Sequence, residues 1–327
     1  MARGPGLGGT ALVADIGGTN ARFAVLGAKG APTRLRVLAC KDFPNLGEAV
    51  EAYLGSIDAE ERPTRAAIAL ASPVTGDRIT LTNRKSWSFS ITALKRKLGL
   101  RELRVINDFT AIALAIPGLT SKELLKIGSG KAVKDAPIAV LGPGTGLGVS
   151  LLVPDGKRWL PVATEGGHVT LPAADQEDEA IITLLHSRFK HVSAERVLSG
   201  PGLVNLYDVI CAAAGKPARS LTPAEITDRA LAGTDRLAAA TLDRFCAVLG
   251  TVSGDLALTA GARGGVYIAG GIVPRFGKYL AKSPFRQRFE AKGRFKAYLR
   301  NIPVHVVTAD QPALKGLSRL LRQTAKA

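Results

Sequence analysis

Short apolar runs alternate with glycine-containing turns in the first third of the chain, a pattern typical of strands in a mixed sheet. The segment 11–26 has two such runs joined by a turn, which predicts a β-hairpin. Runs at 65–71 and 103–106 predict two further buried strands, and the spacing of apolar positions at 90–98 predicts a helix between them. Because strands and helices alternate, we predict an α/β fold.

The strand–turn–strand pattern of the first segment returns about 125 residues further along the chain. An apolar strand at 137–141 is followed by a glycine-rich turn at 142–148 and by a second apolar run at 149–153. Residue-level repetition between the two copies is weak. The recurrence nevertheless suggests that the chain has two related halves.

The segment 165–261 is largely helical in pattern, and several helix starts carry recognisable signals. Thr222 and Glu225 have the spacing of a capping box, in which each side chain binds the backbone N–H of the other residue. We expect Thr234 to cap a long helix that runs to Gly261. The remaining predicted elements are strands at 264–272 and 302–308 and a helix at 311–323.

The composition is that of an ordinary globular protein. Of the 327 residues, 46% are apolar and 22% are charged, so a sizeable core can form and bulk disorder is excluded. No apolar run approaches the length of about 18 residues that a membrane-spanning helix needs, because glycines interrupt the most apolar stretches. We therefore expect no membrane partner.

The cysteines and the first residues predict a cytoplasmic location. Cys40, Cys211 and Cys246 lie far apart and form no Cys-x-x-Cys pair, which argues against a disulfide framework or a zinc knuckle. Residues 1–10 are rich in Gly and Pro and lack the basic and apolar regions of a secretory signal. Both observations fit a reduced cytosol.

Positive charge is concentrated near the end of the chain. The net charge is +17, and residues 275–327 carry 13 basic and 2 acidic side chains. Such clusters can bind phosphate backbones. In 285–300, however, the basic residues alternate with aromatic residues, which predicts an amphipathic helix whose basic side chains face solvent. Since no helix-turn-helix, RNA-recognition or zinc-finger pattern is present, we expect no nucleic-acid partner.

Three glycine-rich segments, 15–19, 142–148 and 270–271, lie at predicted strand ends. Backbone N–H groups can converge on a phosphate there because glycine has no Cβ. The first could instead be a tight hairpin turn and the last a strand end. The four glycines within 142–148 lose much conformational entropy on folding, and a ligand that approaches the backbone closely would explain why glycine is used there. No P-loop motif is present, and no dinucleotide motif follows a strand, so phosphate binding by glycine turns is the hypothesis that remains.

Carboxylates, an amide and an imidazole lie at predicted strand ends and turns. Asn107 and Asp108 directly follow a strand, where α/β sheets place ligands, although Asp108 could be only a helix N-cap. Glu165 and His168 flank two glycines, which favours an open loop over a buried core histidine. Glu195 lies beside a predicted helix start. Together these groups suit a ligand with many hydroxyls.

These motifs resemble bacterial glucokinases outside the ROK group, and the resemblance spans nearly the whole chain. The three glycine segments are similar to the nucleotide-binding signature of the actin, hsp70 and hexokinase superfamily. ROK sugar kinases share the Glu-x-Gly-His turn, but a cysteine-rich zinc motif follows theirs and is missing here. The matching segments are Asp15-Ile-Gly-Gly-Thr-Asn-Ala-Arg22, Ser72-Pro-Val-Thr-Gly-Asp77, Thr82-Asn83, Ile106-Asn-Asp-Phe-Thr-Ala111, 141–148, Glu165-Gly-Gly-His168, 192–202 and 269–276.

The resemblance implies a two-domain actin-like ATPase fold of the ribonuclease H-like type, with a ligand cleft between the domains. A small α/β domain would comprise residues 1–117 plus 310–327, and a larger α+β domain would comprise residues 118–309. The resemblance also implies a homodimer.

The implied activity is that of a glucokinase, an ATP-dependent hexose kinase whose partners are glucose and ATP and whose cofactors are ATP and Mg²⁺. It would transfer the γ-phosphoryl group of ATP to the 6-hydroxyl of glucose, the first step of glycolysis. By the same resemblance, Asp108 is the general base and Asp15 orients Mg²⁺ through water. The implied glucose-binding residues are Asn83, Asn107, Asp108, Glu165, His168 and Glu195. The implied ATP- or phosphate-binding residues are Asp15, Gly17, Gly18, Thr19, Asn20, Gly144, Thr145, Gly146, Gly270 and Gly271.

Two alternatives to this activity stay open at the level of sequence. One is a kinase that uses polyphosphate or accepts a broader range of hexoses, for which the basic segment 275–327 would guide the donor electrostatically. The other is a non-catalytic, sugar-responsive regulator on the same scaffold. The intact phosphate turns and Asp108 argue against the regulator.

Overall fold

A computed structural model describes residues 9–27 and 30–324 of the chain. In that part, no helix has the length and apolar character needed to cross a lipid bilayer. The chain separates into two compact units, which we call the N-terminal unit and the middle unit. The divisions fall after Leu119 and after Thr308, and the last helix belongs to the N-terminal unit. Parts of the predicted small domain lie outside the described residues, namely 1–8, 28–29 and 325–327.

Strands and helices alternate along the described chain, which confirms the predicted α/β class. The strands are β1 Ala11–Ile16, β2 Asn20–Leu26, β3 Pro32–Ala39, β4 Arg65–Leu70, β5 Arg78–Leu81, β6 Arg84–Ser90, β7 Glu102–Asn107, β8 Leu124–Ile127, β9 Ile138–Pro143, β10 Leu147–Asp155, β11 Arg158–Thr164, β12 Gly265–Ile268 and β13 Val304–Val307. The helices are α1 Leu46–Leu54, α2 Ile91–Lys97, α3 Asp108–Ala115, α4 Gln176–His186, α5 Gly200–Ala213, α6 Pro223–Ala232, α7 Arg236–Thr259, α8 Gly277–Leu280, α9 Phe285–Glu290, α10 Lys296–Arg300 and α11 Pro312–Thr324.

Each unit contains a mixed sheet with the same core arrangement. In the N-terminal unit the strand order is β3-β2-β1-β4-β7, and β1 is antiparallel to β2 and parallel to β4. In the middle unit the order is β11-β10-β9-β12-β13-β8, and β9 is antiparallel to β10 and parallel to β12. The first hairpin strand has the same two kinds of neighbour in both sheets, which agrees with the two related halves suggested by the sequence.

Strand register in the N-terminal sheet brings two predicted site segments to one edge. Because β1, β4 and β7 are parallel, Ile16 pairs with Leu70, and Leu70 pairs with Asn107. The carboxyl ends of the three strands are therefore level. The turn after β1 and the helix after β7 both start at this edge, which is where open α/β sheets place their ligands.

Alternating side chains of β1 build two cores, one on each face of the N-terminal sheet. Leu12 and Ile16 belong to a cluster that includes buried residues of α1 and α2. Ala11 and Val13 point to the opposite face and belong to a cluster with α3 and α11. The helix that begins with Asp108 therefore packs against both the sheet and α11, which lies on the same face of the sheet.

The predicted helix starts are confirmed in one case and wrong by one residue in another. Thr222 and Glu225 form the expected capping box, with the N–H of Thr222 donating to the Glu225 carboxylate at 2.8 Å. Thr234 does not cap α7. Asp235 does, because its carboxylate accepts from the N–H groups of Leu237 and Ala238 at 2.9 and 3.1 Å.

Two edge strands and the exact width of one turn differ from the prediction. The glycine-rich turn predicted at 142–148 is narrower, since residues 142–143 end β9 and residues 147–148 begin β10. Strands β3 and β11 lie at the outer edges of their sheets and were not predicted. Leu35 and Val37 on β3 are about half exposed, so this strand lacks the buried apolar pattern that reveals a central strand.

The basic segment 285–300 is not one amphipathic helix with its charges in solvent, as predicted. It forms two short helices, α9 and α10, separated by a 3₁₀ turn. Arg286, Arg288 and Lys292 are each less than 15% exposed and are bound by neighbouring groups of the middle unit. These charges therefore stabilise the fold and are less available to guide an anionic donor. The acidic partners are Glu290 for Arg286, Asp175 and Asp178 for Arg288, and Asp255 for Lys292.

Candidate active site

The turn between β1 and β2, which carries predicted phosphate-binding residues, is held in place by Cys40. The N–H of Gly17 donates to the carbonyl of Asn20 at 3.0 Å and closes the turn. The N–H of Cys40 donates to the carbonyl of Thr19 at 2.8 Å, and its buried thiol donates to the carbonyl of Gly17 at 3.5 Å. Thr19 itself is exposed. Cys40 was not a predicted site residue, because only the pairing of β2 with β3 brings it to the turn.

Ser72 connects two of the predicted ligand-binding segments of the N-terminal unit, those of Asn83 and Asn107. Its hydroxyl accepts from the N–H of Thr82 at 2.7 Å, and its carbonyl accepts from the Asn107 amide at 3.4 Å. A Cβ atom placed on Gly18 would lie 3.2 Å from the Cβ of Asn83, so the first turn and the turn of Asn83 are in close contact. In the sequence Ser72 is only one residue of a matching motif, whereas the structure shows that it is buried and holds these segments together.

Asn107, and not Asp108, caps helix α3. The Asn107 amide oxygen accepts from the N–H groups of Phe109 and Thr110 at 2.9 and 3.2 Å. The alternative in which Asp108 is only the N-cap is therefore wrong. Asp108 is the first residue of the helix, is partly exposed and accepts from the N–H of Phe109 at 2.9 Å. The partial positive charge at a helix N-terminus stabilises a carboxylate in this position.

Asp15 lies at the end of β1 and is mostly buried. Burial raises the pKa of its carboxyl, and the Arg22 guanidinium, 3.8 Å away, opposes this shift. Within the described residues, no group of three or more His, Cys, Asp or Glu side chains could hold a metal ion. A single carboxylate is nevertheless compatible with Mg²⁺, which keeps several waters and is bound by one or two carboxylates together with substrate phosphates.

Asp15→Asn should raise the thermal stability of the protein at about pH 7. Because the pKa of Asp15 is higher in the folded state than in the unfolded state, the ionised carboxylate destabilises the fold above that raised pKa. The destabilisation disappears below the unfolded-state pKa of about 3.9. Differential scanning calorimetry should therefore give a higher Tm for the variant at about pH 7 and a shrinking difference toward about pH 4. A lower Tm for the variant at neutral pH would contradict this assignment.

In the middle unit, the turn between β9 and β10 is closed by backbone hydrogen bonds. The N–H of Gly144 donates to the carbonyl of Gly146 at 2.7 Å, and the N–H of Gly200 donates to the carbonyl of Gly144 at 2.8 Å. Thr145 is exposed at the tip. Gly270 has a φ of +86°, and a Cβ placed there would overlap the carbonyl of Pro143. Glycine is thus required where this segment approaches the turn, whereas Gly271 has open space around it.

Glu195 lies against the same turn and links it to the turn of Glu165 and His168. One Glu195 carboxylate oxygen accepts from the N–H of Leu147 at 2.8 Å, and the other lies 3.9 Å from Nδ1 of His168. The N–H of His168 donates to the carbonyl of Glu165 at 3.0 Å. The His168 side chain is 58% exposed, so the alternative of a buried core histidine is wrong. Glu165 is also exposed.

The predicted site residues thus form two groups, one in each unit. In the N-terminal unit, the structure brings together the first turn, Asn83 and Asn107 through Gly18 and Ser72. In the middle unit, it brings together the turn between β9 and β10, Glu195 and His168, and Gly270 lies against the base of that turn.

Comparisons with known proteins identify a family for this chain. The profile of the family described as Glucokinase matches residues 12–324. A glucokinase of Nitrobacter hamburgensis is 50% identical over 309 residues, which are 94% of this chain and 96% of that protein. The crystal structure of a glucokinase from an Antarctic psychrotroph is 38% identical, with a TM-score of 0.87 over 96% of this chain and 99% of that one.

A more distant structure shares the fold. It is a ROK family glucokinase from Streptomyces griseus in complex with glucose and AMPPNP, 19% identical, with a TM-score of 0.66 over 96% of this chain and all of that one. The structural likenesses confirm the predicted actin-like ATPase fold. Since the family profile and the relative at 50% identity both span nearly the whole sequence, the chain belongs to the glucokinase family.

Proposed function

We propose that the protein is a glucokinase that transfers the γ-phosphoryl group of ATP to the 6-hydroxyl of D-glucose, giving glucose 6-phosphate and ADP. The observation that carries this proposal is the common edge of β1, β4 and β7. This edge holds both a glycine turn suited to phosphate and a helix that starts with a carboxylate suited to a proton transfer. Membership of the glucokinase family supports the same reaction.

Asp108 serves as the general base in this mechanism. The 6-hydroxyl oxygen attacks the γ-phosphorus, the bond from that phosphorus to the β–γ bridging oxygen breaks, and Asp108 accepts the hydroxyl proton. Asn107 is the N-cap of α3, so the role of capping the start of the helix does not fall to the Asp108 carboxylate. The remaining sugar hydroxyls are bound by Asn83, Asn107, Glu165, His168 and Glu195.

The two hairpin turns bind the phosphates of ATP through their N–H groups and hydroxyls. Thr19 and Thr145 are exposed at the tips of these turns and can donate to phosphate oxygens. Asp15 would hold Mg²⁺ through water, and bound Mg²⁺ would neutralise the charge that develops on the phosphates. Gly270 and Gly271 lie along the adenosine. Gly17, Gly18, Asn20, Gly144 and Gly146 complete the nucleotide-binding set.

Several finer assignments belong to the same proposal. The chain falls in the non-ROK group, since no cysteine-rich motif follows His168 and the next cysteine is Cys211. We propose domains of residues 1–117 with 310–327 and of residues 118–309, and a cytoplasmic homodimer, as the resemblance implies.

A coupled assay with purified protein tests both the donor and the acceptor. Glucose, mannose and fructose should be compared with ATP, and glucose should be compared with ATP and with polyphosphate, all in the presence of Mg²⁺. We expect turnover with glucose and ATP and no comparable turnover with the other pairs. Preference for polyphosphate would favour the alternative donor. Absence of turnover with every pair, in protein shown by circular dichroism to be folded, would favour the regulator.

A further inference from the structure

Glu195 is bound by the end of the turn between β9 and β10, which we call the phosphate turn. Its Oε2 atom accepts from the N–H of Leu147, the first residue after the turn, at 2.8 Å. Its Oε1 atom lies 3.9 Å from Nδ1 of His168. The Glu195 side chain is 29% exposed, so a lone pair of the carboxylate can still face a ligand. One carboxylate thus contacts both the proposed phosphate site and the proposed sugar site.

Gly146 makes this contact possible. A Cβ atom placed on Gly146 would overlap Oε2 of Glu195, which is the far end of a flexible side chain. The φ of Gly146 is outside the left-handed region, so the backbone at this position can accept alanine. A methyl group at Gly146 would therefore displace the carboxylate while leaving the turn and the fold in place.

Gly200 is a matched contrast outside the proposed ligand-binding set. Its N–H donates to the carbonyl of Gly144, and a Cβ atom placed on Gly200 would have that carbonyl oxygen, 3.5 Å away, as its nearest neighbour, which is an ordinary van der Waals contact. The φ of Gly200 is also outside the left-handed region. Alanine at Gly200 adds the same methyl group next to the same turn without touching Glu195.

We propose that the phosphate turn positions Glu195 for the sugar, so that Gly146, a residue of the nucleotide site, determines sugar affinity. This inference rests on the proposed function of Glu195 as a glucose ligand.

Isothermal titration calorimetry of glucose into nucleotide-free protein tests the positioning directly. Gly146→Ala should raise the Kd of glucose about tenfold or more, because a hydrogen bond to a charged group is lost. Gly200→Ala should leave that Kd within about twofold, since Glu195 keeps its contacts. A Gly146→Ala protein that is folded and binds glucose as tightly as the wild type would overturn the inference.

A double-mutant cycle provides a second test. In a Glu195→Ala background, Gly146→Ala should change the Kd of glucose by less than about twofold, because the carboxylate that the methyl group displaces is already absent. A further loss of affinity as large as that in the wild-type background would overturn the inference. If the wild-type protein bound no glucose, the proposed function itself would be wrong, which distinguishes that failure from failure of this inference alone.

Discussion

Asp108→Asn should lower kcat by about 10² to 10⁴ while the affinity for glucose changes only by a small factor. Asparagine has nearly the same shape as aspartate and can still bind a sugar hydroxyl, but its amide cannot accept the proton of the 6-hydroxyl. The start of α3 should remain intact, because its cap is the Asn107 amide at 2.9 Å from the N–H of Phe109. The loss should therefore appear in kcat and not in the Kd of glucose.

Steady-state kinetics together with glucose calorimetry separate these two quantities. A matched control is Asp77→Asn, the same chemical change at another helix start of the N-terminal unit. Asp77 accepts from the hydroxyl of Ser90 and, at 2.8 Å each, from the N–H and hydroxyl of Thr92 at the start of α2. These bonds, that of Ser90 above all, lower the pKa of its carboxyl. That variant should lose some stability and retain kcat. Wild-type turnover by Asp108→Asn would contradict the base assignment.

Gly316→Ala should destabilise the protein by about 1 to 3 kcal/mol or more, although alanine is the better helix former. A Cβ atom placed on Gly316, within α11, would overlap the carbonyl oxygen of Ala111, within α3. This neighbour is backbone and cannot move aside as a side chain can, so the two helices must separate. Because α3 begins with Asp108, we expect kcat to fall along with the Tm.

Gly118→Ala is the matched control for this variant. Gly118 follows α3 and also faces α11, but a Cβ atom there would meet only a guanidinium nitrogen of Arg319, at 3.8 Å. Thermal unfolding followed by circular dichroism should give a Tm near the wild-type value for Gly118→Ala and a clearly lower one for Gly316→Ala. Equal Tm values for the two variants would show that α3 and α11 are less tightly packed than the structure indicates.

Local signals account for the elements that could be predicted from the sequence. The hairpin at 11–26 and the capping box of Thr222 depend on residues within a few positions of each other, and both are confirmed. The outer strands β3 and β11 were missed because their exposed side chains lack a buried apolar pattern. The cap of α7 was misplaced because Thr234 and Asp235 are adjacent and both are good capping residues.

The site could be predicted as a set of residues but not as a set of contacts. Glu195 and Leu147 are 48 positions apart in the chain and meet only because β10 and the 3₁₀ turn Ala194–Arg196 pack together. Cys40 reaches the turn between β1 and β2 only because β2 pairs with β3. Ser72 holds the segment of Asn83 through its buried hydroxyl. Such contacts depend on tertiary structure, and no local spacing of residue types reveals them.

Phosphoryl transfer from ATP to the 6-hydroxyl of glucose can be followed by ³¹P nuclear magnetic resonance of a single reaction. Protein, glucose, ATP and Mg²⁺ would be combined in one tube, so that loss of the γ-phosphate signal and gain of each product are measured together. Glucose 6-phosphate and ADP should form in equal amounts, with little inorganic phosphate. Loss of ATP to inorganic phosphate with no sugar ester, or an ester at another hydroxyl, would contradict the proposed reaction.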